Sequence, residues 1–132
     1  MNKPTLDHIG IAEKSLDAAK IYEALGLTVD HVETVTSQNV RTAFLSAGDA
    51  NLELLEPTGP ESTVAKFIEK RGEGIHHICF RVDDIESHLA RLKSLGYRLI
   101  NEAPVPGAHG CRVAFLHPSA GDGVLIELSE KS

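Results

Sequence analysis

The sequence predicts an α+β fold made of two βαβββ repeats whose strands form a mixed sheet. The first observation is self-similarity at long period. LDHIGIAEKSL (6–16) recurs as IHHICFRVDDI (75–85), EALGL (23–27) as KSLGY (93–97), VRTAFLSAG (40–48) as CRVAFLHPS (111–119), and NLELLE (51–56) as VLIELSE (124–130). From His8 to His77, Gly26 to Gly96, Arg41 to Arg112 and Glu53 to Glu127, the offsets are 69, 70, 71 and 74 residues. Matches in one order at a slowly drifting offset mark duplicated units rather than chance. The second observation is the element order within each copy: a strand, a helix, then three strands. At 132 residues the chain suits one domain, with repeats over about 5–56 and 75–130 and a linker over 57–74.

Each element has its own signal. Residues 6–12 and 76–82 are rich in Ile, Val and Phe, as strands are. A helix over 15–25 is predicted with Ser15 as N-cap, Gly26 as its left-handed stop, and Ala18, Ile21, Tyr22 and Leu25 as its buried stripe. In the second copy Asp83 or Asp84 caps, Ile85, Leu89 and Leu92 form the stripe, and Gly96 ends the helix. Pro57, Gly59 and Pro60 open the linker as turn residues, and a short helix over 62–70 ends at Gly72 and Gly74.

Composition narrows the function classes. Thirteen basic residues against nineteen acidic ones give a net charge of −6, which speaks against nucleic acid as partner. No run approaches the roughly 20 apolar residues that a bilayer crossing needs, and the opening MNKPTLDHIG lacks the pattern of a secretory signal. Two cysteines are too few for a disulfide scaffold, so a reducing cytoplasmic setting is expected. No phosphate loop or dinucleotide fingerprint is present, and no nucleotide cofactor is expected.

Side chains alternate along a strand. Ile9 and Ile11 therefore share one face and His8 and Gly10 the other. Ile78, Phe80 and Val82 share a face opposite His77, Cys79 and Arg81. Glu53 opposes Leu52 and Leu54, as Glu127 opposes Ile126 and Leu128. Each half thus presents an apolar face for its helix and a second face carrying one histidine and one glutamate. If the two sheets curve toward each other, His8, Glu53, His77 and Glu127 converge as a set suited to a divalent ion of the Mn, Fe, Co, Ni or Zn type, with positions left open for substrate. His76 must face away from His77, so only one of that pair can ligate. His31 and His88 read as surface residues, and His117 as a turn residue before Pro118. Cys79 reads as core filler, and His109, in GAHG, sits where a ligand could approach.

Two βαβββ units with metal ligands on the first and fourth strands resemble the vicinal oxygen chelate, or glyoxalase-like, superfamily. LDHIGIA (6–12), the run from LELLEP to FRVDDI (52–85), PVPGAHG (104–110), VAFLHP (113–118) and GVLIEL (123–128) resemble the methylmalonyl-CoA epimerases over most of the chain. The resemblance implies a curved, cup-shaped sheet and a homodimer. It also implies interconversion of (2R)- and (2S)-methylmalonyl-CoA through proton removal and return at C2. The metal ligands it implies are His8, Glu53, His77 and Glu127, holding Co2+ foremost, with Mn2+, Ni2+, Zn2+ or Mg2+ as alternatives. Glu127 is then one base. Several relatives carry a glutamate where this chain has Thr42, and a glutamine where it has Glu53; threonine is no base at neutral pH, so Glu53 is expected to supply the opposing carboxylate. The alternative readings are a glyoxalase I-type lactoylglutathione lyase, a ring-cleaving dioxygenase, or a non-catalytic small-molecule-binding protein of the same fold.

Overall fold

The computed structural model describes residues 2–131, in which eight strands and three α-helices alternate with short 3-10 turns. The chain divides into two compact units, one spanning His8–His76 and the other combining residues 2–7 with 77–131.

In the first repeat, β1 (Thr5–Ala12) is followed by α1 (Ala19–Ala24), β2 (Val29–Val35), β3 (Val40–Ala47) and β4 (Ala50–Pro57), and α2 (Thr63–Arg71) follows in the linker. Its sheet order is β2-β3-β4-β1, with β1 parallel to β4 and the other pairs antiparallel. The second repeat follows the same order with β5 (Gly74–Arg81), α3 (Ile85–Ser94), β6 (Val105–Pro106), β7 (Arg112–Phe115) and β8 (Leu125–Glu130), paired in the order β6-β7-β8-β5. Here too the first and last strands run parallel. The duplication read from the sequence therefore extends to strand direction and pairing.

Each half packs a helix on its apolar face. Ile11, Leu52, Leu54, Ala43 and Leu45 lie against Leu16, Ala19 and Tyr22 in the first, with Leu45 and Leu54 wholly buried. In the second, Phe80, Val82, Ala114, Ile126 and Leu128 receive Ile85, Leu89 and Leu92 from α3. Burying a Leu or Ile side chain of this size contributes about 1.5–3 kcal/mol. Asp84 caps α3 by accepting from the Ser87 amide at 3.2 Å, and Gly26 and Gly96 end the two helices at positive φ of 104° and 91°.

The stripe expected on α1 is corrected. Ile21 and Leu25 are 61% and 73% exposed; Ala19 is the buried residue, and the partly buried Leu16 and Tyr22 pack beside it. Ser15 does cap the segment, but its first turn, Leu16–Ala18, is 3-10. A three-residue turn brings side chains at i and i+3 into line, which rotates the inward face to 16, 19 and 22. His88 is likewise not a surface residue: it is half-buried, and its Nε2 is buried without a hydrogen-bond partner among the described residues.

The linker helix matches its expectation closely. Ser62, almost fully buried, caps α2 by accepting from the Val64 amide at 3.1 Å, and Lys70 and Arg71 occupy its last turn. Val64, Phe67 and Ile68 pack on Ala12, Val40 and Leu55, so α2 covers the sheet face opposite α1. None of the helices described is long and apolar enough to cross a membrane.

Candidate metal centre

Register decides which side chains share a face, because paired residues on neighbouring strands point the same way. On β1 and β4, Gly10 pairs with Glu53 and His8 with Asn51, so His8 stands one diagonal step from Glu53 on one face. On β5 and β8, Cys79 pairs with Glu127 and His77 with Leu125. His77 therefore stands in the same diagonal relation to Glu127. The residues expected from alternation occupy the expected faces, and the two pairs are built alike.

The pairs are also close in space. His8 Nδ1 lies 3.4 Å from Glu53 Oε2, with side chains 12% and 19% exposed. His77 Nε2 lies 3.9 Å from Glu127 Oε1, with side chains 11% and 12% exposed. Each half thus holds an imidazole nitrogen and a carboxylate oxygen near each other, largely shielded from water. Neutral imidazole and carboxylate together form a donor set for borderline divalent ions, and each residue sits on a strand hydrogen-bonded to neighbours, which fixes its direction.

A further pair of residues belongs to these faces and was not singled out from the sequence. Phe44 pairs with Glu53 across β3 and β4, and Phe115 pairs with Glu127 across β7 and β8. Each carboxylate has an aromatic ring as its cross-strand neighbour, at equivalent positions in the two copies. The signal was present in the matched runs TAFL and VAFL. His31, expected on the surface, is exposed and stacks on Phe44 with ring centroids 4.4 Å apart. Thr42 is 4% exposed and pairs with Leu55, which lies under α2.

Other residues frame the faces. Arg81, beyond Cys79 on β5, donates to Asp7 Oδ1 at 2.8 and 3.2 Å. Cys79 is fully buried, as expected of core filler. His76 packs edge-on against Phe67 of α2 at 4.9 Å between centroids, and burial holds its imidazole below the ordinary histidine range. His109 adopts a left-handed conformation (φ 57°) in its exposed loop, and His117 caps a 3-10 turn by accepting from the Ser119 amide at 3.1 Å.

The family described as the Glyoxalase/Bleomycin resistance protein/Dioxygenase superfamily matches residues 7–115. The chain is 39% identical over 129 residues to the ethylmalonyl-CoA/methylmalonyl-CoA epimerase of Cereibacter sphaeroides, covering 95% of this chain and 96% of that one. Among solved structures, a hypothetical protein of Bacillus halodurans is similar at a TM-score of 0.90 and 49% identity, covering 99% of this chain and 96% of that one. A methylmalonyl-CoA epimerase in complex with methylmalonyl-CoA and NH4+ is similar at 0.85 and 40%, with the same coverage.

Proposed function

The chain belongs to the methylmalonyl-CoA epimerases of the glyoxalase superfamily, and from that premise we propose that it interconverts (2R)- and (2S)-methylmalonyl-CoA with the help of a divalent metal ion. The observation that carries the reading is the duplicated His–Glu pair, set at the same register step in both halves. A single pair would be an ordinary half-buried hydrogen-bonding arrangement. Its repetition, in a chain 40% identical to an epimerase solved with that substrate, supports a shared task.

The donor set fits a metal. His8, Glu53, His77 and Glu127 would hold one ion, Co2+ foremost, with Mn2+, Ni2+, Zn2+ or Mg2+ as alternatives. When bound, such an ion supplies positive charge that stabilises the negative charge developing on the thioester oxygen. The protein's own residues do the rest. The C2 proton lies between a thioester carbonyl and a carboxylate, which makes it acidic enough for a carboxylate base. Epimerisation needs one group on each side of the planar enolate, one removing the proton and the other returning it. Glu127 takes one side and Glu53 the other. Their anchorage on paired strands limits each to a small range of positions.

The same reading extends to the setting. Cys79 and Cys111, two cysteines in 132 residues, suit a reducing cytoplasm, and the exposed edge strand β2 suits pairing of two copies as a homodimer.

The test is proton exchange at C2. Methylmalonyl-CoA in heavy water with the metal-loaded protein should take up deuterium at C2 and equilibrate its epimers, as read by NMR. Absence of both, with Co2+ supplied, would refute the proposal.

A further inference from the structure

Each repeat closes its two ligand-bearing strands with the same clasp. At the ends of β1 and β4, the Glu13 amide donates to the Leu55 carbonyl and the Leu16 amide to Glu56 Oε2, both at 2.9 Å. At the ends of β5 and β8, the Val82 amide donates to the Ser129 carbonyl at 2.9 Å and the Ile85 amide to Glu130 Oε2 at 2.8 Å. The other oxygen of each glutamate, Oε1, accepts from an arginine on the third strand of its repeat, Arg41 in the first and Arg112 in the second. Leu16 and Ile85, Arg41 and Arg112, and Glu56 and Glu130 are matched positions of the duplication. The same bonds therefore recur at the same places in both copies.

Ordinary helix capping does not account for them. Ser15 and Asp84 already cap the two helical segments from their own loops. Glu56 and Glu130 reach in from strand ends 40 and 45 residues away in sequence. What the clasp supplies is register. The antiparallel strands β3 and β4 meet in a tight hairpin at Ala47 and Ala50, which sets their alignment. β1 and β4 run parallel, as do β5 and β8, and no tight turn can join parallel neighbours. Yet these are the strands that carry His8 with Glu53 and His77 with Glu127. Glu56 and Glu130 lie three residues beyond Glu53 and Glu127, about 10 Å along the strand, and point to the opposite, helix-bearing face. Each clasp thus ties the end of the glutamate's strand to the segment that leaves the histidine's strand.

We propose that Glu56 and Glu130 are positioning residues, each fixing the alignment of histidine against glutamate in its own half; the inference rests on the epimerase reading above. Loosening one clasp should disturb proton transfer on one side of the enolate only, whereas a general loss of stability would affect both sides alike.

Deuterium exchange of each pure epimer, at saturating concentration and with metal supplied, tests this. Glu56→Asp keeps the charge but draws the carboxylate back from the Leu16 amide, and Glu130→Asp does the same at Ile85. Because misplacement by about 1 Å costs up to roughly a hundredfold in rate, Glu56→Asp should slow exchange of the epimer that Glu53→Gln impairs by about tenfold or more. The other epimer should be unaffected, and Glu130→Asp should show the reverse pattern. Glu56→Gln and Glu130→Gln keep the side-chain length and an oxygen for the amide, and should restore exchange. Equal slowing of both epimers, slowing of neither or of the opposite one, or glutamine variants as slow as the aspartate ones would overturn the assignment. NMR of the imidazole rings, recorded without added metal, is independent of turnover. Glu56→Asp should shift the His8 ring and spare His77, and Glu130→Asp the reverse; rings that move together, or not at all, would overturn it. If the wild type exchanges neither epimer, the epimerase reading fails on its own, and the ring shifts still decide whether each clasp governs its pair.

Discussion

Replacing each proposed base in turn has a consequence that a purely structural role for these carboxylates would not produce. Glu53→Gln and Glu127→Gln keep the side-chain length and one oxygen near His8 and His77, now 3.4 and 3.9 Å from the carboxylates. Metal binding should survive while the base is lost. A positioned general base is worth roughly 10²- to 10⁴-fold, or about 2.7–5.4 kcal/mol of barrier at 1.36 kcal/mol per decade. With side chains only 19% and 12% exposed, water is a poor substitute, so epimerisation should fall by the upper part of that range. Exchange with solvent should not fall equally for both epimers. Each variant keeps one base, which can remove and return a proton on its own side without inversion. One pure epimer should therefore still take up deuterium with Glu53→Gln, and the opposite epimer with Glu127→Gln. Proton NMR of each epimer in heavy water reads this directly. Retained epimerisation in Glu53→Gln, or loss of exchange for both epimers in one metal-loaded variant, would refute the two-sided assignment.

Other perturbations have defined outcomes. Ile85→Ala, at a fully buried position against Leu89 and Leu128, should cost about 2–5 kcal/mol in chemical denaturation. His76 has its pKa lowered by burial, so below about pH 6.5 the unfolded chain gains a proton that the folded one does not. Stability should consequently fall as pH drops through the ordinary histidine range, and in thermal melts from pH 5.5 to 7.5 His76→Phe should lose less stability toward acid than the wild type. Divalent metal at 100 times its dissociation constant should stabilise the metal-free protein by about 2.7 kcal/mol, seen as a rise in Tm that a chelator reverses.

Much of this architecture was legible because it depends on local rules that the duplication states twice. Alternation alone sets His8 and Gly10 opposite Ile9 and Ile11, and the register bears this out through Gly10–Glu53 and Cys79–Glu127. Ser62 and Gly72 mark the ends of α2 through capping chemistry. The failures share a cause. The inward face of α1 depends on a 3-10 entry turn, whose rotation no 3.6-residue pattern registers. The docking of α2 on Ala12, Val40 and Leu55 joins Ala12 to helix residues from Val64 to Ile68 far along the chain, and local pattern carries no sign of such contacts. Thr42, 4% exposed, pairs with Leu55 beneath that helix, which its own sequence neighbours do not indicate. Phe44 and Phe115 were visible as matched residues, but only strand pairing shows that each adjoins a glutamate.

In the proposed centre, two His–Glu pairs, one from each repeat, would hold a single ion. Titration calorimetry of the metal-free protein with Co2+ tests it most directly. One ion per chain is expected, with binding weakened severely by His8→Ala and by His77→Ala alike. Two ions per chain, or a stoichiometry and affinity indifferent to the loss of either histidine, would contradict it.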